Sequence, residues 1–221
     1  MFDPTAAATS SARDLIPERP TLASLREAAA GCRACDLWRI GTQTVFGEGR
    51  GGSDIMLVGE QPGDREDLAG QPFVGPAGQL LDDALEQAGI DRRRAYVTNV
   101  VKHFKWLPRG KRRIHQKPNP EEIGACRPWL EAEIAQVRPM VIVCLGATAA
   151  QALIDKDFRV TRQRGQFMRS ALGPWITATV HPSSILRGDP AFRDAEMRLL
   201  VDDLAHVAGW IRDHAASGSD G

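Results

Sequence analysis

A histidine closes a dense run of positive charge at residues 110–115, Gly-Lys-Arg-Arg-Ile-His. Between Lys102 and Lys117 there are seven Lys or Arg and no Asp or Glu. Over the whole chain 28 basic and 28 acidic side chains cancel, so this run is a local concentration of charge, suited to meeting a polyanion at one place. Phe104, Trp106 and two histidines interleave the charges, which sets the run apart from an ordinary solvated loop. His115, neutral near pH 7, is a competent nucleophile. Lys111, Arg112 and Arg113 are placed to grip phosphates or to fix the loop.

Three other segments carry chemistry. Gly59-Glu60-Gln61-Pro62-Gly63 offers a carboxylate and an amide between glycines, followed by Pro72-Phe73-Val74-Gly75. Thr98-Asn99 ends an apolar stretch, and the Asn99 carboxamide can donate and accept hydrogen bonds together. His181-Pro182-Ser183-Ser184 leads to Arg187. Read singly, each has a plainer role: His181 satisfied by backbone, Asn99 closing a turn, Phe73 in the core. The four cysteines are Cys32 and Cys35, spaced C-x-x-C, with Cys126 and Cys144 further on. Disulfides are a poor default without an export signal. Four thiolates suit tetrahedral zinc or a [4Fe–4S] cluster; the competing reading is a redox C-x-x-C with two buried structural cysteines.

The elements that must position these residues follow from period and punctuation. Helices are predicted over 21–30, 76–88, from 119 to 137, over 147–154 and from about 190. Asn119-Pro120-Glu121-Glu122 is a helix start with a cap, Pro at the first position and acids in the first turn. Apolar strands are predicted over 54–58, 94–101, 140–145 and 175–180. Alternating strands and helices imply a three-layer α/β/α fold around a central, mostly parallel four-stranded sheet. Working residues in such folds collect at the carboxyl ends of the strands. Residues 1–20 read as a disordered tail, 21–214 as one domain and 215–221 as a loose end. No apolar run approaches the roughly 20 residues of a membrane span.

Taken together, the G-E-x-P-G, P-F-V-G, T-N and H-P-S-S segments resemble the motifs of the uracil-DNA glycosylase superfamily, from about Cys32 to the final helix. The four cysteines resemble its iron–sulfur family 4. Gln61, where ordinary family 4 members carry a small residue, and the K-R-R-I-H insertion resemble the UdgX subgroup, whose members stay covalently attached to DNA through the loop histidine. The resemblance implies Gly59, Gly63, Phe73 and Asn99 as substrate-binding residues, Phe73 stacking on the flipped base and Asn99 matching uracil O4 and N3–H. It implies His181 on the uracil O2 side, Cys32, Cys35, Cys126 and Cys144 around a [4Fe–4S] cluster, and a covalent bond from His115 to the sugar C1′.

Removing uracil leaves an anionic base and an oxocarbenium-like sugar. Donors aimed at the uracil oxygens stabilise the first charge. Glu60 can stabilise the second, or orient and deprotonate His115; Gln61 can position the sugar, the uracil or the loop. Lys111, Arg112, Arg113, Ser183, Ser184 and Arg187 are DNA-contact candidates, and Ile185 and Leu186 are placed to enter the gap left by the flipped base. The expected protein is a cytoplasmic monomer acting on uracil-containing DNA, single-stranded by preference, with no obligate protein partner. The alternatives are an ordinary family 4 glycosylase that turns over, and a non-catalytic iron–sulfur DNA-binding protein.

Overall fold

Four five-residue strands, buried except for the partly exposed Trp175, set the frame of the computed structural model, which describes residues 11–216. The elements in chain order are α1 (Leu22–Ala30), β1 (Ile55–Gly59), α2 (Asp64–Ala69), α3 (Pro76–Gln87), β2 (Ala95–Asn99), β3 (Trp106–Arg109), β4 (Arg112–His115), α4 (Pro120–Val137), β5 (Val141–Leu145), α5 (Ala147–Leu153), α6 (Val160–Gln163), β6 (Met168–Arg169), β7 (Trp175–Thr179), α7 (Pro182–Arg187) and α8 (Arg193–Ala216). Among the described residues the central sheet has the order β2-β1-β5-β7-β6. Its first four strands are parallel, in registers such as Gly59 beside Asn99 and Val58 beside Cys144.

Side chains alternate across the sheet, so each strand feeds two cores. Met56, Val58, Ile142 and Ile176 pack with Leu25 of α1, Trp129 and Leu130 of α4 and Ala149 of α5. Ile55, Leu57, Val141 and Val143 pack with Leu81 and Leu85 of α3 and with Leu200, Leu204 and Val207 of α8. The result is the expected three-layer, mostly parallel α/β arrangement. The α4 start is as predicted: Asn119 accepts from the Glu122 N–H and the Glu122 carboxylate accepts from the Asn119 N–H, with Pro120 opening the helix.

Four expectations are corrected. The sheet has a fifth strand, β6, antiparallel to β7; two residues long, it is too short to show a period. The K-R-R-I-H segment is a strand: β4 pairs antiparallel with β3, and Gly110 supplies the left-handed backbone (φ 61°) of the turn between them. Residues 11–20 are packed and not loose, since Ala12 is fully buried and its N–H donates to the carbonyl of Ala125. Ile185 points inward from α7 and is fully buried, so it is not free to enter DNA. The remainder of the expected tails, 1–10 and 217–221, lies outside the described residues. No helix among the described residues is long and apolar enough to cross a membrane.

Candidate active site

The carboxyl ends of β1, β2, β5 and β7 open into one cavity of about 570 Å³. Glu60, Gln61, Phe73, Asn99, His115 and His181 all line it. Segments spread over more than a hundred residues of chain thus meet where parallel-sheet geometry requires.

Glu60 follows the last residue of β1 and stands 3.1 Å from the Nε2 of His115. Its other oxygen accepts a hydrogen bond from the hydroxyl of Thr148, in the first turn of α5. Burial opposes ionisation of Glu60, but the His115 and Thr148 hydrogen bonds outweigh it and hold the carboxyl below its ordinary range. The site therefore carries a fixed carboxylate against a partly exposed imidazole. Thr148 was not legible as a site residue, because a threonine after Gly146 looks like any helix start.

The hairpin explains why the histidine faces inward. Residues two apart share a face of a strand, so Arg113 and His115 both turn toward the body of the protein. Arg113 donates to Asp64 Oδ1 (2.5 Å), Asp67 Oδ2 (2.6 Å) and Thr42 Oγ1 (3.1 Å). Its guanidinium also lies over Phe104 and Trp106. Arg113 is accordingly a clamp on the hairpin, with four of its five N–H donors held within the protein, in keeping with the loop-fixing alternative. Lys111 and Arg112 are exposed at and beside the turn. Gln61 is buried and also serves the hairpin. Its amide donates to the carbonyls of Lys105 (3.2 Å) and Gln116 (3.0 Å) and accepts from the Lys105 N–H (3.2 Å). Of its three possible roles the structure favours holding the loop.

Asn99 ends β2 and is almost fully buried. Among the described residues its carboxamide makes no hydrogen bond, so its donor and acceptor are free for a ligand in the cavity it lines. Gly59 beside it is required by space: a Cβ there would lie 2.3 Å from Asn99 Oδ1 and 2.8 Å from Phe73 Cζ. Gly59 makes room for Asn99 and Phe73 at the cavity wall. Phe73 adopts a left-handed backbone (φ 57°), a conformation that a non-glycine residue holds at a cost. It is tolerated because Gly78, whose Cβ would lie 1.7 Å from the Phe73 carbonyl oxygen, lets that loop close. Glu66 braces the same loop by accepting from the N–H groups of Gly63 (3.1 Å) and Gly75 (2.7 Å). The Gly63 N–H is therefore occupied, although Gly63 lines the cavity.

His181 caps α7. The Ser183 N–H donates to its Nδ1 at 3.1 Å, and the Ser183 hydroxyl lies 2.8 Å from the same atom. With Nδ1 accepting, the ring proton sits on Nε2, a neutral donor. Burial lowers the imidazole to about 4, against the opposing pull of Glu60, so it stays neutral at ordinary pH. Its ring stacks near Phe73 with centroids 6.0 Å apart. Ser184 and Arg187 are exposed and line the cavity mouth with Lys117.

Three of the four cysteines belong together. Cys32 and Cys35 follow α1, and Cys126 lies on α4. Each sulfur takes an N–H donor: Trp129 Nε1 to Cys32 (3.3 Å), the Lys102 amide to Cys126 (3.2 Å) and the Leu37 amide to Cys35. Burial, with the neighbouring cysteines adding to it, raises the Cys35 thiol to about 11 and the Cys126 thiol to about 12. Donors on sulfur suit thiolate ligands, and a metal would displace the protons. Cys144 differs: burial alone raises it, with no interaction with another cysteine. Among the described residues no group of three or more His, Cys, Asp or Glu stands in metal-binding geometry. The N–H donors on Cys32, Cys35 and Cys126 suit ligands, and among the described residues no such donor reaches Cys144.

Comparison with known proteins agrees with this architecture. The family model described as "Uracil DNA glycosylase superfamily" matches residues 46–205. A type-4 uracil-DNA glycosylase of Thermotoga maritima is 40% identical over 183 residues, covering 82% of this chain and 90% of that protein. One from Archaeoglobus fulgidus is 39% identical over 164 residues, covering 70% and 78%. A type-5 uracil-DNA glycosylase of Pyrobaculum aerophilum is 28% identical over 208 residues, covering 85% and 84%. The chain belongs to the uracil-DNA glycosylase superfamily.

Proposed function

We propose that this protein excises uracil from DNA and retains the resulting sugar as a covalent adduct on His115, as in the UdgX subgroup. The observation that carries the second half is the 3.1 Å contact between His115 Nε2 and Glu60 Oε1 in the wall of the cavity that Asn99, Phe73 and His181 also line. The type-4 relatives support the first half.

Uracil enters beside Phe73. The Asn99 amide donates to O4 and its carbonyl accepts from N3–H, a pattern that cytosine, with an amino group at position 4, does not match. His181 donates from Nε2 toward O2 and stabilises the charge that the base takes on as it leaves. The C1′–N1 bond breaks with its electron pair going to uracil, which later takes a proton from water. The sugar cation forms beside the Glu60 carboxylate. A nitrogen of His115 bonds to C1′, and Glu60 receives the ring proton, leaving a neutral alkylated imidazole. Once Glu60 has passed that proton to water, its carboxylate cannot protonate the imidazole to expel it, so the product persists.

Lys111, Arg112, Lys117 and Arg187 supply phosphate contacts. Four such contacts give log affinity a slope of about −3 to −4 against log salt before the covalent step. Cys32, Cys35 and Cys126 would hold a [4Fe–4S] cluster with a fourth ligand other than Cys144. Bound there, the cluster supplies a structural tie between the segment after α1 and α4.

The test is incubation with a uracil-containing single-stranded oligonucleotide. Native protein is expected to give a band that survives heat and SDS, and His115→Ser to lose the band while still releasing uracil. Repeated turnover with a free abasic product would assign the ordinary family 4 reaction instead.

A further inference from the structure

We propose that Lys102 is a positioning residue for base recognition, its ammonium locking the strand end that carries Asn99. The proposal rests on the reading of Asn99 as the uracil-recognising amide.

Lys102 and Glu133 form an ion pair whose side chains are 1% and 0% exposed. All three protons of the ammonium are spent: on the Glu133 carboxylate, on Thr98 Oγ1 (2.5 Å) and on the Asn99 carbonyl (2.8 Å). Glu133 is satisfied in turn, accepting from Tyr96 OH, Thr98 Oγ1 and the Gly47 N–H, each at 3.0 Å. A buried pair of this kind adds little net stability over apolar packing, because the desolvation of both charges offsets their attraction. What the pair specifies is conformation, and the groups it holds lie on β2 or in the turn and loop beside it.

The backbone beyond Asn99 is fixed to match. The Val100 and Val101 amides donate to the carbonyls of Gly59 (2.9 Å) and Glu60 (3.0 Å). The Lys102 amide donates to Cys126 Sγ. Lys102 therefore joins three things: its N–H reaches a cysteine of α4, its side chain reaches the Asn99 carbonyl, and the turn it ends is bonded to Glu60. Among the described residues no side chain bonds the Asn99 carboxamide, so its aim depends on the backbone that carries it. A shift of about 1 Å in such a group is worth roughly 10²-fold in rate.

The test is a double-mutant cycle on single-turnover uracil release. Lys102→Met with Glu133→Gln removes both charges while the new amide still accepts from Tyr96 and Gly47. This double variant is expected to fold with near-native Tm and to release uracil about 10- to 100-fold more slowly. In an Asn99→Ala background the same pair of changes is expected to cost little more, because the group being aimed is gone. Native rates in the double variant, or an equal loss in the Asn99→Ala background, would overturn the proposal. If the double variant does not fold, Glu133→Gln alone, whose Oε1 still accepts from Tyr96 and Gly47 but whose NH2 no longer accepts from Lys102, reads the same coupling: loss confined to the Asn99 background supports it, and no loss overturns it. Native protein that releases no uracil fails at the functional reading, a distinct result that also removes the basis for this one.

Discussion

Replacing Arg113 with Met removes the guanidinium and keeps most of the stem. Asp67, fully buried, then loses its cation and keeps only the Thr42 N–H, at 2.9 and 3.1 Å from its two oxygens. Breaking a fully buried pair costs about 3–5 kcal/mol. Here the arginine side chain is 19% exposed and Asp64 51%, so solvent screens part of the loss and about 2–3 kcal/mol is a fair discount. The cost falls on docking of the β3–β4 hairpin, since Arg113 is its link to α2. At about 1.36 kcal/mol per factor of ten, undocking becomes roughly 30- to 150-fold more populated. Gln61 and the Trp106 Nε1–H bond to the Ile40 carbonyl (2.8 Å) remain as anchors, so this factor is an upper bound on the fall in adduct rate. Uracil release should suffer less, because Asn99, Phe73 and His181 are outside the hairpin. Adduct formation is followed on denaturing gels in single turnover, and hairpin docking by tryptic cleavage at Lys111 and Arg112. Arg113→Lys should fail similarly, since a point charge does not span two carboxylates. Native adduct rate together with native trypsin resistance in Arg113→Met would refute the reasoning.

Three further outcomes are expected. Thr148→Val removes one of the hydrogen bonds that depress Glu60, so its carboxyl rises toward the ordinary 4.5; a group needed as the anion is then lost at higher pH, and the acid limb of the pH–rate profile should move upward. An unmoved limb would exclude Glu60 as the group it reports. Asn99→Asp leaves uracil O4 without its donor, and uracil release measured in single turnover should fall by about 10²-fold, the cost of an unpaired buried polar group. Iron and sulfide analysis should show loss of the cluster in Cys126→Ser and retention in Cys144→Ser, with retention in both or loss in both contradicting the three-cysteine grouping.

Much of the fold was legible because β1 and β5 are short apolar runs that end at Gly59 and Gly146 and β2 and β7 are mostly apolar or β-branched, the pattern a strand buried on both faces tends to have. The convergence of Glu60, Asn99 and His181 followed from their places at strand ends. The rest failed for local reasons. In β4 the alternation that turns Arg113 and His115 inward spans four residues and is masked by the basic run. The partners of Arg113 lie 46 and 49 residues away in the chain, so its clamp role has no sequence signal. Cys144 occupies an apolar strand, where a packed thiol and a ligand look alike. The inward turn of Ile185 was readable in principle. His181 and Pro182 form a helix start, and the resulting helical turn, not a loop, sets where Ile185 points.

The central claim is a bond between His115 and the sugar. Native protein reacted with a uracil-containing oligonucleotide, digested and sequenced by tandem mass spectrometry, tests it most directly. The added mass of an abasic sugar fragment is expected on His115 in the peptide that follows Arg113. An unmodified His115 in protein that has released uracil, or the added mass on another residue, would contradict it.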